Sequence, residues 1–172
     1  MIEKGNDKLM DVRIMSRKEA ETLSRSNLSK ETSIISFYDP ITNRTPKDYQ
    51  KIDSHGICDN VFYVAIHDID IEILDDYGLT FDTYFPEAEE LAKFIVKSIK
   101  EQRPIICQCE YGQSRSAACA AAIKEFYDKS GIKVFADYRY YPNQLIFNKL
   151  LNELIKISDN SKNGDLSAEM NL

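Results

Sequence analysis

Cys109 and Arg115 are separated by five residues, Glu110, Tyr111, Gly112, Gln113 and Ser114, and Ser116 follows directly. These are the parts of a centre that binds an anion and attacks it. When a short loop joins a strand to a helix, its consecutive backbone N–H groups can converge on one phosphate, and the positive end of the helix dipole points at the same place. A thiol in such a loop is biased towards thiolate, because helix N-termini and cationic neighbours bring cysteine pKa values into a range of ~3.5–7.5. The planar fork of Arg115 can grip two phosphoryl oxygens, which the point charge of lysine cannot copy. Gly112 supplies the backbone freedom that a tight loop demands, and Ser116 can donate a hydrogen bond to the sulfur when it leaves. The chemistry suited to this set is attack of sulfur on a bound phosphoryl group.

Such a loop needs a strand before it and a helix behind it, and the flanking pattern supplies both. Pro104 to Cys107 reads as a short buried strand reaching about Gln108, and Ser116 to about Ser130 as an alanine-rich helix stopped by Gly131. Upstream, Val12 to Met15 is a candidate strand, and Ser16 with Glu19 forms a capping-box pattern opening a helix to about Leu23. Ser33 to Phe37 reads as a β-rich strand stopped by Asp39-Pro40, and Asn43 to Ser54 as loop. Val61 to Ile66 is a continuous apolar and β-branched run, the pattern of a strand buried on both faces of a parallel sheet. From Pro86 to Lys100, Ala88, Leu91, Ile95 and Ile99 fall at helical spacing, with acids in the first turn and Lys97 and Lys100 in the last. Pro142 starts a final amphipathic helix, from about Asn143 to Ile157, built on Leu145, Ile146, Leu150, Leu151, Leu154 and Ile155. This alternation predicts one α/β domain over residues 11–157, with a central, largely parallel sheet flanked by helices. Residues 1–10 and 158–172 are polar and unpatterned and are expected to be flexible tails.

The loop resembles the active-site signature of the cysteine-dependent protein tyrosine phosphatase superfamily, a Cys, five residues, an Arg and then Ser or Thr, here Cys109 to Ser116. Ile105-Ile-Cys-Gln before Cys109 and Ala117-Ala-Cys-Ala-Ala after Ser116 are similar to the compact, dual-specificity-like bacterial branch. Helices at Leu91 to Lys100 and after Pro142-Asn143 sit where that branch has them, so the resemblance runs over roughly residues 12 to 157. It implies a phosphotyrosine-phosphatase-like fold and a phosphocysteine intermediate. Cys109 would attack, Arg115 and the loop amides from Glu110 to Ser114 would bind the phosphoryl group, and no metal or cofactor would be needed.

The resemblance also implies a general acid that protonates the leaving oxygen and then activates the hydrolytic water. It points to His67-Asp68-Ile-Asp70, after the Val61 strand. Asp68 corresponds to the acid of the Phe-x-Asp-Ile text of the bacterial branch, whereas an ungapped overlay on dual-specificity enzymes from Tyr63 onward selects Asp70; Asp68 is preferred by a narrow margin. One departure stands out. The family usually has His directly before the nucleophile, and this chain has Gln108. That change removes a group that orients the loop and tunes the thiol, without removing a reacting atom.

Composition narrows the partners. The 172 residues carry 22 Lys and Arg against 28 Asp and Glu, a net charge of −6 that disfavours broad attraction to nucleic acid or anionic membranes. With 43% hydrophobic and 29% charged residues, a wholly disordered, collagen-like or coiled-coil chain is excluded. No apolar run approaches bilayer length, and the first ten residues lack the apolar region of a signal peptide, so a soluble cytoplasmic protein is expected. Cys58, Cys107, Cys109 and Cys119 are too irregularly spaced for a disulfide framework. Cys107 leaves the same strand face as Cys109 and reads as a buried thiol, with a resolving disulfide as the less favoured alternative. Cys58 and Cys119 read as structural. His55 and His67 fit no zinc pattern, and Tyr138, Arg139, Tyr140 and Tyr141 read as a packing edge in preference to a ligand surface.

The expected function is a phosphomonoester hydrolase acting on phosphorylated protein or peptide, phosphotyrosine first, with phosphoserine and phosphothreonine as in dual-specificity relatives. Glu110 and Gln113 stand where inositide-directed relatives tend to carry lysines, which disfavours a highly charged inositol phosphate. Two alternatives accompany this reading: a phosphate-binding module with weak turnover, and a nucleotide or RNA 5′-phosphatase on the same fold.

Overall fold

The computed structural model describes residues 10–23, 28, 31–40 and 51–169, with side chains as far as residue 160. Among these residues four strands, β1 (Val12–Ser16), β2 (Ser33–Tyr38), β3 (Val61–Ala65) and β4 (Ile105–Cys109), form a sheet of order β1-β4-β2-β3. Every pairing in it is parallel. Among the described residues the helices are α1 (Arg17–Glu21), α2 (Ala88–Lys100), α3 (Arg115–Asp128), α4 (Ile132–Phe135) and α5 (Gln144–Glu169), with single 3-10 turns at Ile71–Ile73 and Asp75–Tyr77.

All five residues of β4 are buried, as befits a strand with neighbours on both sides and cover on both faces. Alternation sorts its side chains. Ile105, Cys107 and Cys109 join Ile35, Phe37 and Val64 in the main core with residues of α2, α3 and α5, while Ile106 joins Ile34 and Leu28 in a smaller cluster. Gln108 shares the direction of Ile106, where its Oε1 accepts a hydrogen bond of 2.7 Å from Ser36 Oγ. From Arg115 to Ile123 α3 is buried at every position. Small side chains let neighbouring elements approach a helix closely on all sides, which suits its run of alanines. Ala117 and Ala121 meet Val134, Ile14, Phe135 and Phe147.

A consequence of parallel pairing is that all four strands end at the same edge of the sheet. Ser16, Asp39, Ile66 to Asp68, and Cys109 lie at or just beyond those carboxyl ends, the place where open α/β sheets hold ligands. Ser16 closes β1 with the expected capping box: Glu19 N donates to Ser16 Oγ at 3.2 Å, and Ser16 N donates to Glu19 Oε2 at 2.7 Å.

Several boundaries differ from the sequence reading. α3 ends before Gly131, with Lys129 as the left-handed cap (φ 62°). Gly131 has right-handed φ −55°, and its small size is needed because a Cβ would lie 2.6 Å from Ala121 O. α5 runs to Glu169, past the end expected near Ile157. The apolar spacing ends at Ile157, and the helical backbone runs past it. α4 had no pattern of its own. The loop expected from Asn43 lies outside the described residues until residue 51, as does the N-terminal tail up to residue 9. Among the described residues, no helix is long and apolar enough to cross a membrane.

Candidate active site

Cys109 is the last residue of β4 and Arg115 the first of α3, so the loop of Glu110 to Ser114 spans the strand-to-helix step. The loop is clamped from two sides. On one, Arg17 N donates to Glu110 O at 3.1 Å, and the Arg17 guanidinium lies 3.8 Å from the Glu110 carboxylate. On the other, Tyr141 N donates to Gln113 O at 2.9 Å. Gly112 sits at φ 68°, and a Cβ there would fall 2.6 Å from Ser16 N and 2.8 Å from Met15 C. Both the left-handed backbone and the close approach of β1 demand glycine. Tyr111 and Gln113 turn their side chains to solvent, so what these positions offer a ligand is backbone.

The Cys109 thiol is buried, and its Sγ lies 3.1 Å from Ser116 Oγ. Arg115 is 4% exposed. Its Nη1 donates to Asp39 Oδ1 at 3.0 Å and to Ile66 O at 2.9 Å. Its Nε is buried without a hydrogen bond, 3.9 Å from Asp68 Oδ2. A buried charged donor without an acceptor is costly, so this atom is a place for a ligand oxygen.

The two candidate acids are placed differently. Asp68 Oδ1 accepts from Ser114 Oγ at 2.7 Å and from Asn143 Nδ2 at 3.0 Å, which brings it to the loop. Asp70 is exposed at the start of the first 3-10 turn, makes no side-chain cap, and has no hydrogen bond to the loop. Both line an open cleft of about 810 Å³ together with Ser114, Tyr140, Tyr141 and Asn143. Tyr140 and Tyr141 therefore face a ligand-sized space, and Tyr138 and Tyr141 are 88% and 72% exposed, which corrects the packing-edge reading.

Three residues of this centre were not singled out from sequence as site residues. Asp39, which holds Arg115, follows β2, and a carboxylate at the carboxyl end of a parallel strand was the available signal. The sequence pattern marks Asn143 only as a helix start. Its Oδ1 accepts from Ile146 N at 3.0 Å, while its Nδ2 also donates to Ile69 O at 3.0 Å, so one side chain ties α5 to the Asp68 segment. Tyr84 OH donates to His67 O at 2.6 Å. Burial, reinforced by the Asp68 charge, pushes its phenol well above the usual range and keeps it a neutral donor. Nothing in the sequence pattern marks Tyr84.

All four cysteines are free. Cys119 is fully buried; burial first, then a hydrogen bond with Cys107, pushes its thiol well up. The Cys58 thiol donates to Thr32 O at 3.1 Å. His67 packs its ring 4.9 Å from that of Tyr77. Among the described residues, no group of three His, Cys, Asp or Glu is placed to hold a metal ion.

No family model matches the sequence, and no curated protein matches it. Solved structures do match. The human tyrosine phosphatase-like serine/threonine/tyrosine-interacting protein is 18% identical with a TM-score of 0.55, over 85% of this chain and 93% of that one. The Cydia pomonella PTP-2 phosphatase is 15% identical with a TM-score of 0.51, over 83% of this chain and 84% of that one. At such identities the likeness is one of fold, and it singles out no branch of the superfamily. The chain has the α/β fold of the cysteine-dependent protein tyrosine and dual-specificity phosphatases.

Proposed function

We propose that this chain is a cysteine-dependent phosphomonoester hydrolase acting on phosphotyrosine in protein or peptide. The observation that carries the reading is the buried Arg115 Nε, without a hydrogen bond, at the head of a loop whose first residue is the Cys109 thiol. Loop amides and the Arg115 fork bind the phosphoryl group. The Cys109 thiolate attacks phosphorus, the P–O ester bond breaks, and Asp68 gives its proton to the leaving oxygen. Water then attacks the phosphocysteine with Asp68 as base, inorganic phosphate leaves, and the sulfur departs as thiolate with Ser116 Oγ donating to it.

Asp68 is preferred to Asp70 because its carboxylate, unlike that of Asp70, is hydrogen-bonded to the loop. The test is turnover of an aryl phosphate and a phosphotyrosine peptide by wild type, Cys109→Ser and Arg115→Lys. Cys109→Ser is expected to lose more than a thousandfold in kcat, on the order of 4 kcal/mol. A smaller loss overturns the covalent route. Arg115→Lys is expected to lose both kcat/KM and vanadate inhibition, since a point charge cannot replace the fork.

A phosphate-binding module with weak turnover is the second reading, and Gln108 favours it. This side chain is buried and bonded to Ser36 on the face of β4 opposite Cys109, so it gives the thiol no direct support. Tight binding of a non-hydrolysable phosphotyrosine mimic by a wild-type protein with negligible turnover would establish the module.

A further inference from the structure

The cleft beside the phosphate loop is charged with one sign. Asp68, Asp70 and Glu72 line it together with Tyr140 and Tyr141, and no Lys or Arg lines it among the described residues; the cations at its border are engaged, Arg115 with Asp39 and Asp68, Lys149 with Asp82 and Arg139 with Asp137. Asp70 and Glu72 are exposed, and neither is ion-paired to a described residue. Asp75 and Asp76 of the second 3-10 turn, which follows in the chain, are exposed as well. A phosphoryl group has its own partners next door, in the loop and the buried Arg115 Nε. The part of the ligand that extends over Asp70 and Glu72 has carboxylates to answer and nothing in the cleft to answer them.

We propose that this cleft selects phosphotyrosine substrates carrying Arg or Lys within about two residues of the phosphorylated one. The inference rests on the reading of the loop as a phosphoryl site and adds the identity of the flank. A cationic side chain there gains attraction from Asp70 and Glu72 and an aromatic face from Tyr141, which is 72% exposed. An acidic flank meets like charge, which is the stronger discriminator, because specificity comes as much from repelling the wrong ligand as from holding the right one. By the same argument polyanions such as inositol polyphosphates or a nucleic acid end are poor occupants, despite the phosphate they carry.

The experiment compares phosphotyrosine peptides identical except for Arg or Glu at the two flanking positions on each side. The expected kcat/KM ratio is about tenfold in favour of Arg at low salt, the scale of a few exposed ion pairs, and it shrinks as salt rises. Glu72→Gln is expected to lower that ratio two- to threefold and Glu72→Lys to abolish it, with turnover of phenyl phosphate, which has no flanking residues, unchanged in both. A second arm measures calorimetric binding of the same peptides built with a non-hydrolysable phosphonate. Selective binding without turnover sustains the cleft and overturns the hydrolase. Turnover with equal use of both flanks, or a ratio untouched by Glu72→Lys, overturns the cleft and leaves the hydrolase standing.

Discussion

Asp39, the residue after β2, accepts a hydrogen bond of 3.0 Å from Nη1 of Arg115, the first residue of α3. Together with Ile66 O this fixes one end of the guanidinium and leaves Nε on the side of Asp68. Asp39 is thus a positioning residue. Asp39→Ala should lower kcat/KM on an aryl phosphate by about 10- to 100-fold and weaken vanadate inhibition, the scale of misplacing a binding group. Asp39→Asn, which keeps an acceptor, should recover part of that loss. Equal damage in both variants to thermal stability, with vanadate affinity intact, would reduce Asp39 to a structural role.

The contrast between the loop and its supports shows what a linear reading can reach. Cys109, Arg115 and Ser116 fall within eight consecutive residues, so their chemistry is written in spacing, and the strand and helix around them follow from burial patterns in the same stretch. Asp39 and Arg115 are 76 residues apart, and Asn143 and Asp68 are 75. Asp39 and Arg115 meet because β2 and β4 end at one edge, Asn143 reaches Asp68 from the start of α5, and no local pattern states which loop will fold over which. Gly131 is instructive too. Glycine after a helix suggests a left-handed cap, yet here it serves a close contact with Ala121 while Lys129 takes the cap.

Gly112 and Gly56 form a matched pair for testing the loop. Both have positive φ, 68° and 81°, but a Cβ at Gly56 meets nothing within 4 Å, whereas at Gly112 it meets the backbone of Met15 and Ser16. Gly56→Ala should cost about 1–2 kcal/mol, the conformational penalty alone. Gly112→Ala should cost about 2 kcal/mol more and abolish turnover, because the clash is with backbone that cannot rotate away. Urea unfolding and an aryl phosphate assay check both, and equal stability of the two variants would contradict the observed packing of β1 under the loop.

Alkaline pH should destabilise the fold in two stages. Burial raises the Cys119 thiol and the Tyr84 phenol, so each is neutral in the folded state where the unfolded chain would ionise. A raised folded value contributes stability that is complete below the unfolded pKa and is lost as pH rises. The first loss should therefore begin near pH 8.5 for the thiol and the second near pH 10 for the phenol, each at up to about 1.4 kcal/mol per pH unit. Urea midpoints from pH 7 to 10.5 check this, and Cys119→Ala should remove the earlier limb and leave the later one.

Asp68 and Asp70 are separated most cleanly by the leaving group. Phenyl phosphate and phosphotyrosine need a proton delivered to the departing oxygen, whereas a substrate with a very acidic leaving group does not. Asp68 touches the loop through Ser114 and is braced by Asn143, while Asp70 points its charge along the open cleft. Asp68→Ala should lower kcat on phosphotyrosine peptide by about 10²–10⁴-fold and flatten the basic limb of its pH profile, at much smaller cost on the activated substrate. Asn143→Ala should reproduce a weaker form of that pattern, with kcat falling more than KM changes, because it frees the Asp68 carboxylate without removing it. Asp70→Ala should alter the preference for charged peptides and leave the leaving-group dependence as in wild type. If Asp70→Ala instead shows the leaving-group signature and Asp68→Ala does not, the proton comes from the cleft wall, and the hydrogen bonds of Asp68 serve to hold the loop.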